Sequence, residues 1–115
     1  MTNENLGNLP GGEAVNLANM VDYSPHSIVS REIVKNNSGS MTIFAFDAGQ
    51  GLSEHTAPFD AVVQILDGEA DISVGENTVT ATEGETVLMP ANIPHALHAK
   101  KRFKMQLIMI KEKGQ

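Results

Sequence analysis

The chain has 115 residues, which is enough for one domain with a buried core and too short for two. Its composition, 41% apolar and 19% charged with no cysteine, excludes a disordered chain, disulfides, thiolate metal sites and a cysteine nucleophile. The net charge is −6, and the acidic excess lies in the middle of the chain, where no Lys or Arg occurs between Asn36 and Ala99. We expect no nucleic-acid partner, because this acidic surface would repel phosphate.

The first part of the chain, residues 1–22, is predicted to form an N-terminal arm. It is polar, rich in Gly and Asn, and interrupted by Pro10-Gly11-Gly12. Weak alternation over residues 14–17 could add a short strand, and the arm could lie on its own domain or reach a neighbouring subunit. Residues 23–115 are predicted to form a single barrel domain.

The barrel domain consists of short apolar segments separated by turn signals. Strands are predicted at 27–35, 41–46, 61–66, 69–74, 78–81, 86–89, 95–99 and 103–110. Asp67-Gly68, between two of these segments, is a hairpin signal. No segment has the three-and-four apolar spacing of a helix. The sequence therefore predicts an all-β sandwich or barrel with little helix.

The chain is expected to be cytoplasmic and to have no membrane partner. No apolar stretch approaches the ~20 residues that span a bilayer. The N-terminus has neither the positive region nor the apolar region of an export signal.

Two segments carry spaced Gly, His and Pro residues that resemble the paired motifs of the cupin superfamily. Gly49, His55 and Gly68 match the first motif in register, and the second motif is matched by Gly84, Pro90 and His95. The resemblance covers about two thirds of the chain. It implies a double-stranded β-helix, also called a jelly-roll barrel, and a homodimer, which small cupins commonly form.

The chain also departs from the family pattern. The family's second histidine falls on Ala57, its glutamate on Ala61, its glycine on Asn92 and its asparagine on Ala99. Of the usual metal ligands, His55 and His95 remain. The resemblance therefore implies at most one divalent transition metal (Fe, Mn, Ni, Cu or Zn), weakly bound because two imidazoles hold an ion less firmly than the usual ligand set.

Alternation along the strands predicts an apolar cavity beside the two histidines. The expected lining is Ala57, Asp60, Ala61, Val63, Leu97 and Met105, with Leu107 and Met109 in the same wall. Asp60 would enter only through a bulge in the Pro58-Phe59 turn, whereas His98 should face outwards. Metal binding, metal-free ligand contact and hydrogen-bonded burial all remain open for the histidines.

The sequence favours a stand-alone cupin that binds a small molecule in its barrel. The alternative is a metal-dependent enzyme of the dioxygenase or isomerase type that acts on a small polar organic substrate. An enzyme without metal is also considered, in which the Asp60 carboxylate orients His55 as a general base. A third hypothesis is a stable scaffold whose site has decayed. The two alanines at ligand positions favour binding without turnover, and the retained histidines favour chemistry.

Overall fold

The computed structural model describes residues 9–111, which contain eight β-strands and one short 3-10 helix at Leu17–Met20. The strands are β1 Ile28–Asn36, β2 Gly39–Phe46, β3 Gly51–His55, β4 Asp60–Val74, β5 Asn77–Thr82, β6 Thr86–Met89, β7 His95–His98 and β8 Phe103–Ile110. The predicted all-β architecture with little helix is confirmed. The sequence missed β3 as a separate strand, and residues 14–16 do not form the short strand that weak alternation suggested.

Strand β4 organises the barrel because it belongs to two antiparallel sheets. Its first half pairs with β8 and β6, and its second half pairs with β5 and β7. The hydrogen-bonded order is β1-β2-β8-β4-β7-β3, with β5 and β6 also paired to β4. The two sheets share β4 and face each other across the core.

The predicted hairpin at Asp67-Gly68 is wrong, because β4 continues through both residues. Leu66 is an extra residue opposite β8, where the pairing shifts between Ile65 and Asp67. Gly68 follows with φ +73°, a left-handed conformation that glycine adopts without strain. This β-bulge bends the strand from one sheet into the other.

The bulge also changes which side chains of β4 face the core. Because one added residue reverses the alternation, buried positions are odd before the bulge and even after it. The buried residues are Ala61, Val63 and Ile65, then Ala70 and Ile72.

The main core lies between the two sheets. Phe46 and Phe103 stack with ring centroids 4.5 Å apart, and both side chains are fully buried. The aliphatic side chains of β4, together with Leu97 and Met105, complete this cluster. Because it fills only part of the barrel, a cavity remains beside it.

A second, smaller core holds the described part of the N-terminal segment against the chain's own barrel. Val21 packs with Ile33 and Ile43, and Leu17 and Met20 contact this cluster. The backbone N–H of Leu9 donates to the carbonyl of Ile33 at 3.0 Å. This segment therefore packs on the outer face of the sheet, with Leu9 on β1 and the short helix Leu17–Met20 also against β4 and β8.

Tyr23 fastens this segment to the bulge in β4. Its hydroxyl donates to Asp67 Oδ2 at 2.6 Å, and the Arg102 guanidinium lies 4.3 Å from its ring centroid. Lys104 Nζ donates to the carbonyl of Ala18 at 2.5 Å. Burial of the phenol, together with its bond to the Asp67 carboxylate, raises the pKa of Tyr23 well above its usual value.

We expect Tyr23→Phe to lower the free energy of unfolding at neutral pH by about 1 kcal/mol, because a half-buried hydrogen bond to a carboxylate is lost. A raised pKa means that the unfolded state releases the phenolic proton first as pH rises above ~10. The contribution of Tyr23 is therefore complete below that pH and is lost above it. Urea unfolding of both proteins at neutral pH and above pH 10 measures the difference.

Phenolate absorbance provides an independent check, because Tyr23 is the only tyrosine and the chain has no tryptophan. The native protein should titrate at a higher pH than the urea-unfolded protein. A native midpoint equal to the unfolded one would contradict the assigned contact.

Candidate ligand and metal site

The two retained histidines meet because β3 and β7 are neighbours. In this antiparallel pair His55 is the register partner of His95. Directly opposite residues share one face of a sheet, so the rings come together although they are 40 residues apart in the chain. Their Nε2 atoms are 3.1 Å apart, and the ring planes meet at 71°.

The other nitrogen of each ring determines where its proton lies. His55 Nδ1 is 2.8 Å from the Ser53 carbonyl oxygen, and His95 Nδ1 is 3.1 Å from the Ile93 carbonyl oxygen. A carbonyl oxygen can only accept, so each Nδ1 must donate its N–H. With Nδ1 as the donor, each ring presents an Nε2 that carries no hydrogen, and the two Nε2 atoms face one small space between the strands. Such a pair is stable when a proton or a metal ion lies between the nitrogens.

The nitrogen pair fits a first-row transition metal. Two nitrogens bound at ~2.0–2.1 Å to one ion at the tetrahedral angle lie about 3.3 Å apart, close to the observed 3.1 Å. The site is nevertheless incomplete, because Ala57 and Ala61 place methyl groups where the family pattern has His and Glu. Among residues 9–111 no group of three or more His, Asp or Glu side chains could hold an ion.

A cavity of about 90 Å³ adjoins the histidine pair. One water molecule needs only ~10–15 Å³ of such space, so the cavity has room for a ligand of a few heavy atoms. His95 is buried and His55 is exposed, so His55 lies on the solvent side of the pair. The remaining lining is apolar and consists of Leu52, Ala57, Ala61, Met89, Leu97, Met105, Leu107 and Met109.

Six of the predicted lining residues lie in this wall: Ala57, Ala61, Leu97, Met105, Leu107 and Met109. Val63 does not: it faces the same side of β4 as Ala61 but is fully buried in the core between the sheets. Alternation along a strand indicates the face on which a side chain lies. It does not indicate how far the cavity extends along that face.

Asp60 also lies outside the cavity. It pairs with Ile110 in regular register, without the bulge that would have turned it inwards. Its exposed carboxylate accepts from the Ala91 N–H at 2.9 Å and so holds the turn before β7. The hypothesis that Asp60 orients His55 as a general base is therefore wrong. His98 is exposed, as predicted.

Two lining residues, Leu52 and Met89, were missed. Leu52 pairs with Leu97, but a register shift separates it from His55, so simple alternation from His55 points to Ser53 instead. Met89 is the last residue of β6, immediately before Pro90 of the second motif, and it pairs with Ala61. Its position at the end of an alternating strand could have indicated it.

Asn92 explains one departure from the family pattern. It has φ +65° in the turn between β6 and β7, and Asn adopts this left-handed conformation more readily than most residues. Its backbone N–H donates to the Ala57 carbonyl at 2.8 Å. The turn therefore forms without glycine and places the Ile93 carbonyl next to His95.

In the part of the chain that the structure describes, no helix is long and apolar enough to cross a membrane.

Comparisons with known proteins agree with this architecture. A family model described as a cupin domain matches residues 42–111. A solved structure of a conserved protein of unknown function from Streptococcus pyogenes is 36% identical, with 93% of this chain and 94% of that chain covered and a TM-score of 0.87. A cupin 2 conserved barrel domain protein from Leptotrichia buccalis is 42% identical over 84% of this chain and 47% of that one, with a TM-score of 0.81.

A curated relative, an uncharacterized protein from Streptomyces coelicolor, is 30% identical over 67 residues. The match covers 58% of this chain and 64% of the relative, so the chain spans less than two thirds of that protein's length.

Proposed function

The chain belongs to the cupin family, and we propose that this member binds a small molecule in its barrel, with a divalent transition metal held weakly by His55 and His95. The observation that supports this most directly is the pair of Nε2 atoms 3.1 Å apart beside an apolar cavity. Two imidazoles leave most coordination positions of a metal open, and a ligand with an oxygen or nitrogen head group can take one of them.

The protein's own residues would orient both the metal and the ligand. The Ser53 and Ile93 carbonyls fix the two rings through Nδ1, which keeps each Nε2 directed at the same point. Leu97 and Met105, both buried, would exclude water from the inner end of the ligand. A metal bound there supplies polarisation of a ligand oxygen.

The alternative is a metal-dependent cupin enzyme of the dioxygenase or isomerase type on a small polar organic substrate. The open coordination positions favour it. The residues around the cavity argue against the enzyme hypothesis, because the described lining of the cavity contains no carboxylate and no hydroxyl that could move a proton. A decayed scaffold is the third hypothesis: a hydrogen bond between the two nitrogens would satisfy them without a metal, but this hypothesis gives no role to the cavity beside them.

We expect the purified, untagged chain to bind about one Zn²⁺ or Ni²⁺ per molecule. His95→Ala should weaken this binding by roughly a hundred-fold or more, because a two-ligand site loses half of its protein donors. Equilibrium dialysis with elemental analysis measures both values.

His98→Ala is the matched control for this experiment. It is the same substitution on the same strand, but His98 is exposed on the other face, so metal binding should not change. Equal binding by the His95 variant and the wild type would contradict the proposed site.

Native mass spectrometry tests the small-molecule part of the proposal. We expect an organic molecule to co-purify with the wild-type chain and to be absent from Ala57→Phe, whose ring would fill the cavity without removing either histidine. A chain that holds neither an organic molecule nor a metal would overturn the proposed function.

A further inference from the structure

Methionine is concentrated in the cavity that adjoins the histidine pair. The chain has six methionines, and Met89, Met105 and Met109 all line this one cavity. Met89 and Met105 are buried and Met109 is half-buried. Packing alone explains a single methionine in an irregular core, but here three methionines line a cavity that two histidines also line.

The strand register places two of these thioethers on either side of one position. Ala61 pairs with Met89 on β6 and with Met109 on β8. Directly opposite residues share a face with Cβ atoms about 4.5–5.5 Å apart. The position at which the family pattern has a glutamate is therefore occupied by a methyl group with a thioether on each side.

This replacement changes the chemistry of the donors around the cavity. Among the described residues, the wall includes two histidines and three methionines, and it includes no Asp or Glu. Thioether and imidazole are ligands that suit monovalent copper, whereas carboxylate oxygens suit harder ions such as Mg²⁺, Ca²⁺ and Mn²⁺.

The charge of the bound ion also favours monovalent copper. A divalent ion on two neutral imidazoles, with no anionic residue in the described cavity wall, would have an uncompensated double charge, which is costly where apolar groups exclude water. Monovalent copper has half that charge and loses less hydration energy on entry. Both the softness of the donors and their neutrality therefore favour it.

We propose that the metal preferred by this site is copper in its monovalent state, bound by His55 and His95 through Nε2 and by the thioether sulfur of Met89 or Met109. The inference rests on the proposed function, because it uses the same histidine pair, but it replaces the divalent ion proposed there with a monovalent one. Neither methionine is a ligand in the family pattern described above.

The test is an anaerobic titration with Cu⁺ in competition with a colorimetric Cu⁺ chelator, beside a titration with Zn²⁺. We expect Cu⁺ to bind at least about a hundred-fold more tightly than Zn²⁺. Met89→Leu/Met109→Leu should weaken Cu⁺ binding by at least ten-fold, in keeping with the loss of soft donors, and should weaken Zn²⁺ binding much less.

Met41→Leu is the matched control, because Met41 packs in the second core on the outer face of β2. It should leave the affinity for both ions unchanged. Leucine and methionine have similar volumes, so the variants should fold. X-ray absorption at the copper edge of the wild-type protein needs no variant, and it should show a sulfur neighbour as well as nitrogen.

The possible outcomes separate this inference from the proposed function. Zn²⁺ binding that depends on His95, without a preference for Cu⁺ or with only nitrogen and oxygen neighbours at copper, would overturn the copper inference and leave the proposed function intact. Binding of neither ion, or binding that is indifferent to His95, would overturn the metal part of both.

Discussion

Replacing Ala57 by His and Ala61 by Glu is expected to raise the affinity for Zn²⁺ or Ni²⁺ by a hundred-fold or more. Both positions line the cavity together with His55 and His95, so the double variant would direct four donors to one point. The added carboxylate would also neutralise part of the ion's charge. Competition with a chelator of known affinity measures the change.

The double variant should also become dependent on metal for its stability. Ala61 is 3% exposed, so without an ion the new carboxylate would be buried unpaired, at a cost of several kcal/mol. Adding Zn²⁺ should recover this stability, because an ion that binds only the folded state stabilises it. Thermal unfolding with and without Zn²⁺ should therefore differ much more for this variant than for the wild type.

The matched control is Ala57→His/Val62→Glu, which adds the same two side chains but places the carboxylate on the outer face of β4. It should gain at most the contribution of one imidazole. The double variant should also bind Zn²⁺ more tightly than Cu⁺, which reverses the preference inferred for the wild type. If Zn²⁺ affinity did not rise, the alignment of the first motif with the metal-ligand positions would be wrong.

The second large effect is expected for Gly68→Ala, which should lower the free energy of unfolding by roughly 3 kcal/mol or more. A left-handed conformation costs a non-glycine residue about 1–2 kcal/mol. In addition, a Cβ at this position would collide with the backbone carbonyl oxygen of Arg102, which cannot move without disturbing β8. Urea unfolding of the two proteins measures the loss.

Gly84→Ala separates these two contributions. Gly84 also has a positive φ, +88°, but an added Cβ would have no heavy atom within 4 Å. It should therefore incur only the conformational cost, about 1–2 kcal/mol. If the two variants were equally destabilised, the close approach of β8 to the bulge would not contribute to the cost at Gly68.

Gly68 also illustrates why part of the fold could not be predicted. The Asp67-Gly68 pair correctly indicated a residue with positive φ, and the structure has one there. A hairpin turn and a β-bulge both need such a residue. The two structures differ in which strands pair. Here the segments on either side of Gly68 pair with β6, β8, β5 and β7 instead of with each other. Long-range pairing decides between two structures that local sequence makes equally acceptable.

The candidate site also has features that the sequence predicted and features that only the structure shows. The residue types were readable directly: imidazoles at 55 and 95, methyl groups at 57 and 61, and several methionines in the last strands. These set the kind of donors that any ligand or metal would meet, because donor chemistry belongs to the side chain itself. The prediction for Asp60 failed because it needed a local bulge that regular pairing with Ile110 removes.

The arrangement of those donors depends on contacts between distant parts of the chain. His55 and His95 face each other because β3 pairs with β7, and each ring is oriented by the hydrogen bond that its Nδ1 donates to a backbone carbonyl. Two thioethers flank Ala61 because β6 and β8 both pair with β4. The amino-acid sequence established which atoms can bind, and the register between strands established which of them meet, since hydrogen bonds between remote segments leave no local signal.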